Sequence, residues 1–337
     1  MDPAQLLELI GAFPGRTVAV VGDVVADEFV YGRVSRVSRE APVLILDYDT
    51  TEVVAGAAGN AANNVVTLGG RARLAAVAGR DAAGRRLLAG LRRGVDRRHV
   101  AQPTGAATAI KTRILAGGVH SAKQQVVRMD RTAGPPDARA HAAFARAALA
   151  AARGADAVLL SDYGSGLVTP ALAAKVRAEA RRDSRRVPVL IDSRYNVLRF
   201  HGLTACTPNE SEVEQALGVR INDDVRVLER AGRHILKTSR MRAVLITRGS
   251  RGMALFEPGR PTVHIPIFGS DEIADVTGAG DTVMATLTLA LAAGGTCEQG
   301  ARLANYAGGL VVMKRGTATV SAVELRRAVR RDAGGPA

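Results

Sequence analysis

Aromatic residues make up only 3% of this 337-residue chain, and tryptophan is absent. Proteins that grip single-stranded nucleic acid by stacking its bases need such rings, so that mode of binding is poorly supplied. Cysteine is as scarce. Cys206 and Cys297 stand far apart without the spacing of a zinc site, and they read as small hydrophobes of a reducing cytosol rather than as a disulfide framework. No apolar run reaches the length of a membrane span, and Asp2 and Glu8 stand where a signal sequence would carry basic residues and a long apolar stretch. A soluble, cytoplasmic protein with no membrane partner is expected.

Acidic residues are the minority charge, 32 against 46 Lys and Arg, for a net charge of +14. Such an excess raises nucleic acid as a partner. The arginines are spread over amphipathic segments, however: Arg85, Arg86, Arg92, Arg93, Arg97 and Arg98 in one, Arg181, Arg182, Arg185 and Arg186 in another. That is the distribution of solvated helix faces, and nucleic acid is not the expected partner.

The length suits one large α/β domain, spanning residues 1–337, whose core needs no covalent staples. Buried strands alternate with amphipathic helices, which points to a layered fold around a largely parallel sheet. Strands are predicted over Thr17 to Val24, Ala155 to Ser161, Val187 to Asp192 and Ala243 to Thr247. Helices are predicted over Ala57 to Leu68, Ala82 to Arg93, Arg139 to Ala152, Pro170 to Arg182, Asp223 to Leu236, Gly280 to Ala293 and Cys297 to Met313. Residues 29–54 and 104–130 carry short β-type runs without intervening helices, such as Val43 to Asp47, Thr108 to Leu115 and Gln125 to Met129, and these form a small separate sheet or extend the main one. Ala133-Gly-Pro-Pro-Asp137 reads as a linker back to the helix-rich body.

The most informative stretch is Asp275-Val-Thr-Gly-Ala-Gly-Asp281-Thr282, which runs straight into an apolar helix-forming segment. Gly278, Ala279 and Gly280 at a helix start leave backbone N–H groups uncrowded, so a phosphate can approach them at the positive end of the helix dipole. Asp281 lies in the same first turn. It is either an ordinary capping acid or a general base that takes the proton of an attacking alcohol.

Other stretches add polar groups to the predicted sheet edge. Asp23 and Asp27 follow a buried strand, where open α/β sheets bind ligands, and suit hydrogen bonds to sugar hydroxyls or simple loop caps. Gly56 to Gly70 offers glycines, Asn60 and an Ala-rich helix. Asn209 and Glu212, in Thr-Pro-Asn-Glu-Ser-Glu, fit a capping box at a helix start. Thr247-Arg-Gly-Ser-Arg-Gly252 is a glycine turn after a strand.

Taken together, these segments resemble the ribokinase or PfkB superfamily of sugar kinases. Its second signature runs Asp-Thr-x-Gly-Ala-Gly-Asp; its first, Gly-Gly-x-x-x-Asn-x-Ala, is matched from Gly56, with Ala57 in place of the second glycine. The resemblance runs nearly end to end. It implies a ribokinase-like three-layer α/β fold with a mostly parallel central sheet and a small β lid that pairs with a second subunit's lid, hence a homodimer. It implies Asp281 as base, the amides of Gly278, Ala279 and Gly280 as anion hole, and Asp23, Asp27 and Asn60 on the sugar, with Gly56 as the lid hinge. It also implies ATP held by Thr247, Gly249, Gly252 and Asn305. Mg2+ would be organised by Asn209 and Glu212, and a monovalent cation such as K+ would sit near Asp275 and Thr277.

Gly22 to Gly32, Ser38 to Val43, Asp162-Tyr-Gly-Ser-Gly166 and Gly316-Thr-Ala-Thr-Val-Ser321 resemble the heptose-7-phosphate kinase branch, which phosphorylates C1 of a seven-carbon sugar phosphate. That branch has lysine where Ser165 stands, and Asp-Pro-Lys where this chain has Asp192-Ser-Arg194. None of the six histidines forms a His-x-Gly-His motif, so no nucleotidyltransferase is expected here. The cations Arg33, Arg36, Arg39, Lys111, Arg113, Lys123 and Arg128 on the lid and its flanks favour an anionic substrate, with Arg113, Arg128 or Lys111 facing the sugar. A kinase of a neutral sugar or nucleoside and a non-catalytic sugar or nucleotide sensor are the alternatives.

Overall fold

Thr-Val-Ala-Val-Val-Gly at residues 17–22 buries every side chain after Thr17, as a central strand covered on both faces must. The computed structural model describes residues 2–117, 123–182, 186–269 and 275–334. Helix α1 (Pro3–Gly11), capped by Asp2, leads into β1 (Thr17–Gly22). The chain then runs through β2 (Val24–Val37), β3 (Leu44–Ala57), α2 (Ala58–Thr67), β4 (Arg71–Val77), α3 (Ala82–Ala89), β5 (Val95–Asp96), β6 (Val100–Ala101), β7 (Ala109–Gly117) and β8 (Gln124–Arg131). It continues through α4 (Ala138–Ala152), β9 (Ala157–Asp162), α5 (Pro170–Ala180), β10 (Val189–Ser193), β11 (Ala205–Cys206), α6 (Glu210–Leu217), α7 (Val225–Ser239), β12 (Ala243–Thr247), β13 (Met253–Phe256) and β14 (Val263–Ile265). Helices α8 (Ala279–Ala292), α9 (Cys297–Val311) and α10 (Ala322–Asp332) close the described chain.

The main sheet has the order β14-β13-β12-β11-β10-β9-β1-β4-β5, parallel except for the two antiparallel pairings at the β14 end, and β6 also pairs with β4. Side-chain alternation along β1 divides the core. Val18 and Val20 pack with α1, α2, α8, α9 and α10, whereas Ala19 and Val21 pack with α4 to α7. The result is the three-layer α/β/α arrangement that the resemblance implies.

At Gly22 and Asp23 the chain leaves this sheet. A side chain at Gly22 would meet the Ser161 carbonyl oxygen at 2.1 Å, so only glycine fits where the two strands diverge. The second sheet, β3-β2-β7-β8, is the separate small sheet; β2 is antiparallel to β3 and parallel to β7, and β8 closes the far edge antiparallel to β7. Its strands begin and end beyond the predicted limits, with β2 starting at Val24 and β3 reaching Ala57, while residues 118–122 of the predicted segment 104–130 lie outside the described residues. Arg185 of the second arginine group lies outside them too. All of β8 is exposed, and Val127, Met129, Val37, Val43 and Tyr48 present large apolar surface around this lid. Among the described residues no helix is long and apolar enough to cross a membrane.

Candidate active site

Parallel strands β1, β9, β10 and β11 all end on one edge of the main sheet, and α8 begins there, so loops from distant parts of the sequence meet at its N-terminus. Gly278, the N-cap of α8, has φ 76° and gives no side-chain cap; a Cβ there would press within 2.5 Å of Asn60 Nδ2. The first-turn amides of Ala279 and Thr282 bond back to Val276 and Gly278. Those of Gly280 and Asp281 meet no acceptor among the described residues, and a Cβ at Gly280 would find open space for 4 Å. Two free N–H groups beside open volume, at a positive helix end, are what an anion requires.

Asp281 is 3% exposed. Asn60 Nδ2 donates to its Oδ2 at 2.9 Å, and the Tyr163 hydroxyl donates to its Oδ1 at 3.0 Å. Burial pushes its pKa up to about 7, with the Asp27 charge adding to the rise and the two hydrogen bonds and Lys111 opposing it. A carboxylate poised near neutrality is suited to accept a proton. Asn60 is itself fixed: it donates also to the Gly278 carbonyl at 3.3 Å and accepts from Asn64 Nδ2 at 3.1 Å. It therefore holds the Asp281 carboxylate in place.

Asp23 and Asp27 both lie at this edge, 5% exposed, and both are already engaged. Asp23 accepts from the Tyr163 amide at 2.8 Å, the Ser165 amide at 3.3 Å and the Ser165 hydroxyl, so it shapes the loop after β9; burial raises its pKa despite these bonds. Asp27 takes Arg113 at 2.7 Å and the Thr317 hydroxyl at 3.2 Å. Arg113 is thus spent on an acid through the register that sets it beside Phe29 on β2, and its guanidinium lies 5.2 Å from the Phe29 ring. Gly56 sits against this pair: a Cβ would overlap Asp27 Oδ2 at 2.1 Å. Ala57, in the place of a glycine, holds φ 54° and ψ −129°, a conformation that suits glycine and strains other residues.

Beside Asp23 opens a cleft of about 700 Å³, lined by Lys111 and Arg128 of the lid, Tyr163, Ser165 and Arg194, with the expected linker residues Ala133 to Asp137 forming part of its wall. Asp281 does not line it. Tyr163 does, and carries Lys111 Nζ 4.9 Å above its ring.

The metal and nucleotide candidates lie further along the same edge. Asn209 and Glu212 form a complete capping box, each side chain bonded to the other's amide at 2.9 Å. Burial nevertheless raises the Glu212 pKa, and it pushes that of Asp192 well above the carboxylate range, with the charges of Glu212, Asp281 and Asp162 adding to the rise in Asp192. Asn209 also bridges to Thr247 at the end of β12. Gly249 and Gly252 follow in the β12–β13 turn, where Gly252 has φ 76° and a Cβ would meet the Ile265 carbonyl at 2.0 Å. Asn305 on α9 is buried and donates to Pro266 O at 2.8 Å, next to that turn. Asp275 receives the amides of Thr277 at 2.9 Å and Gly316 at 3.0 Å, which ties the loop before α8 to the loop before α10.

Tyr163 and Asp192 carry no role in a motif-by-motif reading, whereas Lys111, expected to face the sugar, does line the cleft. Tyr163 and Asp192 are signalled by their positions after and along predicted strands; the contact that matters for Tyr163 spans 118 residues of sequence.

A sequence model described as pfkB family carbohydrate kinase matches residues 16–324. The chain belongs to the pfkB family of carbohydrate kinases. It is a sugar kinase. It is 41% identical over 312 residues to the bifunctional protein HldE of Geobacter sulfurreducens, an alignment that covers 91% of this chain and 61% of that protein. HldE of Caulobacter vibrioides is 41% identical over 330 residues, 96% of this chain and 65% of the relative. The chain therefore spans about three-fifths of the length of these relatives. Among solved structures, Arabidopsis thaliana ribokinase complexed with ribose and ATP superimposes with a TM-score of 0.70 at 20% identity, covering 94% of this chain and 99% of that one. Escherichia coli phosphofructokinase-2 in complex with fructose-6-phosphate gives 0.72 at 15%, covering 94% and 98%. These neighbours share the pfkB family member's ribokinase-like fold.

Proposed function

We propose that the chain transfers the γ-phosphate of ATP to a hydroxyl of an anionic sugar, with heptose 7-phosphate at its C1 hydroxyl as the leading substrate. The observation that carries the anionic class is the cleft beside Asp23, which Lys111 and Arg194 line together with Arg128, whose guanidinium is paired with Asp130 at 2.6 and 2.7 Å. Arg113 is withdrawn from that task by Asp27. Burial lowers the Lys111 pKa, with the Arg194 and Arg128 charges adding to the fall and Asp27 opposing it. The sequence resemblance to the heptose-7-phosphate kinase branch supports the particular sugar. Ser165 and Arg194, which replace that branch's lysines, leave the cleft cationic but trade one point charge for a hydroxyl and another for a planar fork.

Asp281 takes the proton of the attacking hydroxyl as its oxygen forms a bond to the γ-phosphorus; the bond to the bridging oxygen of the leaving ADP breaks with its electron pair. The free amides of Gly280 and Asp281 receive the charge on the transferred phosphoryl group. Asn209 and Glu212 satisfy one another, and among the described residues no group of three or more His, Cys, Asp or Glu is disposed to hold an ion. They fit Mg2+ held through water and nucleotide phosphates rather than in a protein cage, and when bound it would neutralise phosphate charge. Asp275 and Thr277 organise the loop where the family resemblance implies a monovalent cation. Thr247, Gly249, Gly252 and Asn305 would border the nucleotide.

Coupled ADP release across a panel of free and phosphorylated sugars tests this reading, with phosphosugars expected to give kcat/KM at least tenfold above the matching free sugars. Equal use of both would replace the substrate with a neutral one, and no ADP with any sugar would favour a sensor.

We further propose a homodimer through the lid, supported by the exposed apolar residues on and around its outer strands. Light scattering is expected to give twice the chain mass, and a Val127→Asp variant to give one; a wild-type monomer at high concentration would exclude it.

A further inference from the structure

We propose that Tyr163 is a positioning residue for the base, holding the Asp281 carboxylate in its reactive orientation from the wall of the sugar cleft. This rests on Asp281 being the base. Three observations support it. The Tyr163 hydroxyl donates to Asp281 Oδ1 at 3.0 Å while Asn60 holds Oδ2 at 2.9 Å, so the two donors fix both oxygens and leave the carboxylate no free rotation. The loop that carries Tyr163 is itself pinned, because Asp23 accepts the Tyr163 and Ser165 amides, and Asp162 accepts the Gly164 amide at 3.0 Å and the Ser193 hydroxyl at 2.7 Å. The ring also faces the cleft beneath Lys111, so the side chain touches both the proposed sugar space and the base.

The charged and polar groups set around Asp281 come from five elements: Asn60 on α2, Tyr163 after β9, Asp27 on β2, Lys111 on β7 and Asp192 on β10. Burial and the Asp27 charge oppose its ionisation, and its own charge raises the pKa of Asp192; the Asn60 and Tyr163 hydrogen bonds, Lys111 and the positive end of α8 favour it. Removing the tyrosine hydroxyl therefore leaves Asp281 harder to ionise and freer to turn.

Tyr163→Phe keeps the ring, the cleft wall and the platform under Lys111. It is expected to lower kcat at pH 7 about tenfold, to move the acid limb of the kcat/KM profile upward by roughly one pH unit, and to leave KM for the sugar within about threefold. A merely structural loss would lower activity equally at every pH, with a fall in melting temperature. The same substitution in an Asp281→Asn background should cost almost nothing, since Tyr163 acts through that carboxylate. An unmoved acid limb, or an equal loss in the Asp281→Asn background, would overturn the role while leaving the base in place. Near-normal turnover of Asp281→Asn would overturn the base and this role together.

Discussion

Two helices begin at the same edge of the sheet, α6 and α8, and they end their first turns in opposite ways. Helix α6 is closed on itself: Asn209 and Glu212 exchange hydrogen bonds with each other's amides. Helix α8 is left open, since Gly278 has no side chain to cap with and the amides of Gly280 and Asp281 have no acceptor among the described residues. An unmet N–H at a helix start costs stability unless solvent or a ligand meets it, so sequences usually supply a cap. Here one end is repaired and the other is left open, as the proposed phosphate site requires. The difference predicts where substitutions will register: at α8 in turnover, at α6 first in stability.

Asp281→Asn should show the largest effect, a fall in kcat of two or more orders of magnitude in a folded protein that still binds ATP. The same substitution should stabilise. The folded-state pKa of Asp281 is raised from 3.8 to about 7, so wild-type stability is full below the lower value and is lost as pH rises through the upper one. The variant, which has no charge to bury, should gain about 2 kcal/mol over wild type at pH 8, partly offset by the donor that asparagine turns toward Asn60 or Tyr163, and little at pH 4. Denaturant titration at the two pH values checks it; a variant weaker than wild type at pH 8 would mean that the carboxylate is held charged at no cost, as a simple cap would be.

Gly280→Ala sharpens the contrast. Its backbone is not among the positive-φ positions and the new methyl meets nothing, so alanine should stabilise the helix by about 0.5–1 kcal/mol. If a phosphate reaches the free amides through that open space, the same methyl should lower kcat/KM about tenfold. A stable variant with unchanged kinetics would leave these amides without a phosphate.

This contrast was only half legible in sequence. Periodicity gave β12 its exact limits, Ala243–Thr247, and most helices to within three residues, because their apolar faces are continuous. Strand β4 was missed. Arg71-Ala-Arg-Leu-Ala-Ala-Val77 is poor in β-branched residues, although Ala72 and Leu74 do alternate with arginines, one of which reaches the carbonyls that end α4. The glycines and Asp281 are legible as a candidate anion site from local chemistry alone. Pairings are not: only the β2–β7 register sets Arg113 against Asp27, and Tyr163, although it lies in the Asp162 to Gly166 stretch, meets Asp281 only where β9 and α8 come together. Capping boxes are local and appear in sequence, whereas which helix end stays open depends on what the rest of the fold does not supply.

Asn209→Ala should give the smallest effect and tests the closed end. Alanine removes the acceptor for the Glu212 amide and leaves the Glu212 carboxylate bonded to residue 209 alone, a cap loss of about 1 kcal/mol, or about 2 °C in melting temperature for a chain of this size. Glu212→Gln keeps the reciprocal hydrogen bonds, since a glutamine oxygen can still accept from the Asn209 amide, but it removes the charge that burial already disfavours. Stability should therefore fall in the first variant and hold in the second. If Asn209 and Glu212 organise Mg2+ through water, the second variant should raise the Mg2+ concentration needed for half-maximal activity about threefold to tenfold while the first changes it less. The opposite ranking, with Asn209→Ala abolishing turnover at an unchanged melting temperature, would show that α6 also opens to the phosphates when substrate binds, and the difference between the two helix ends would vanish.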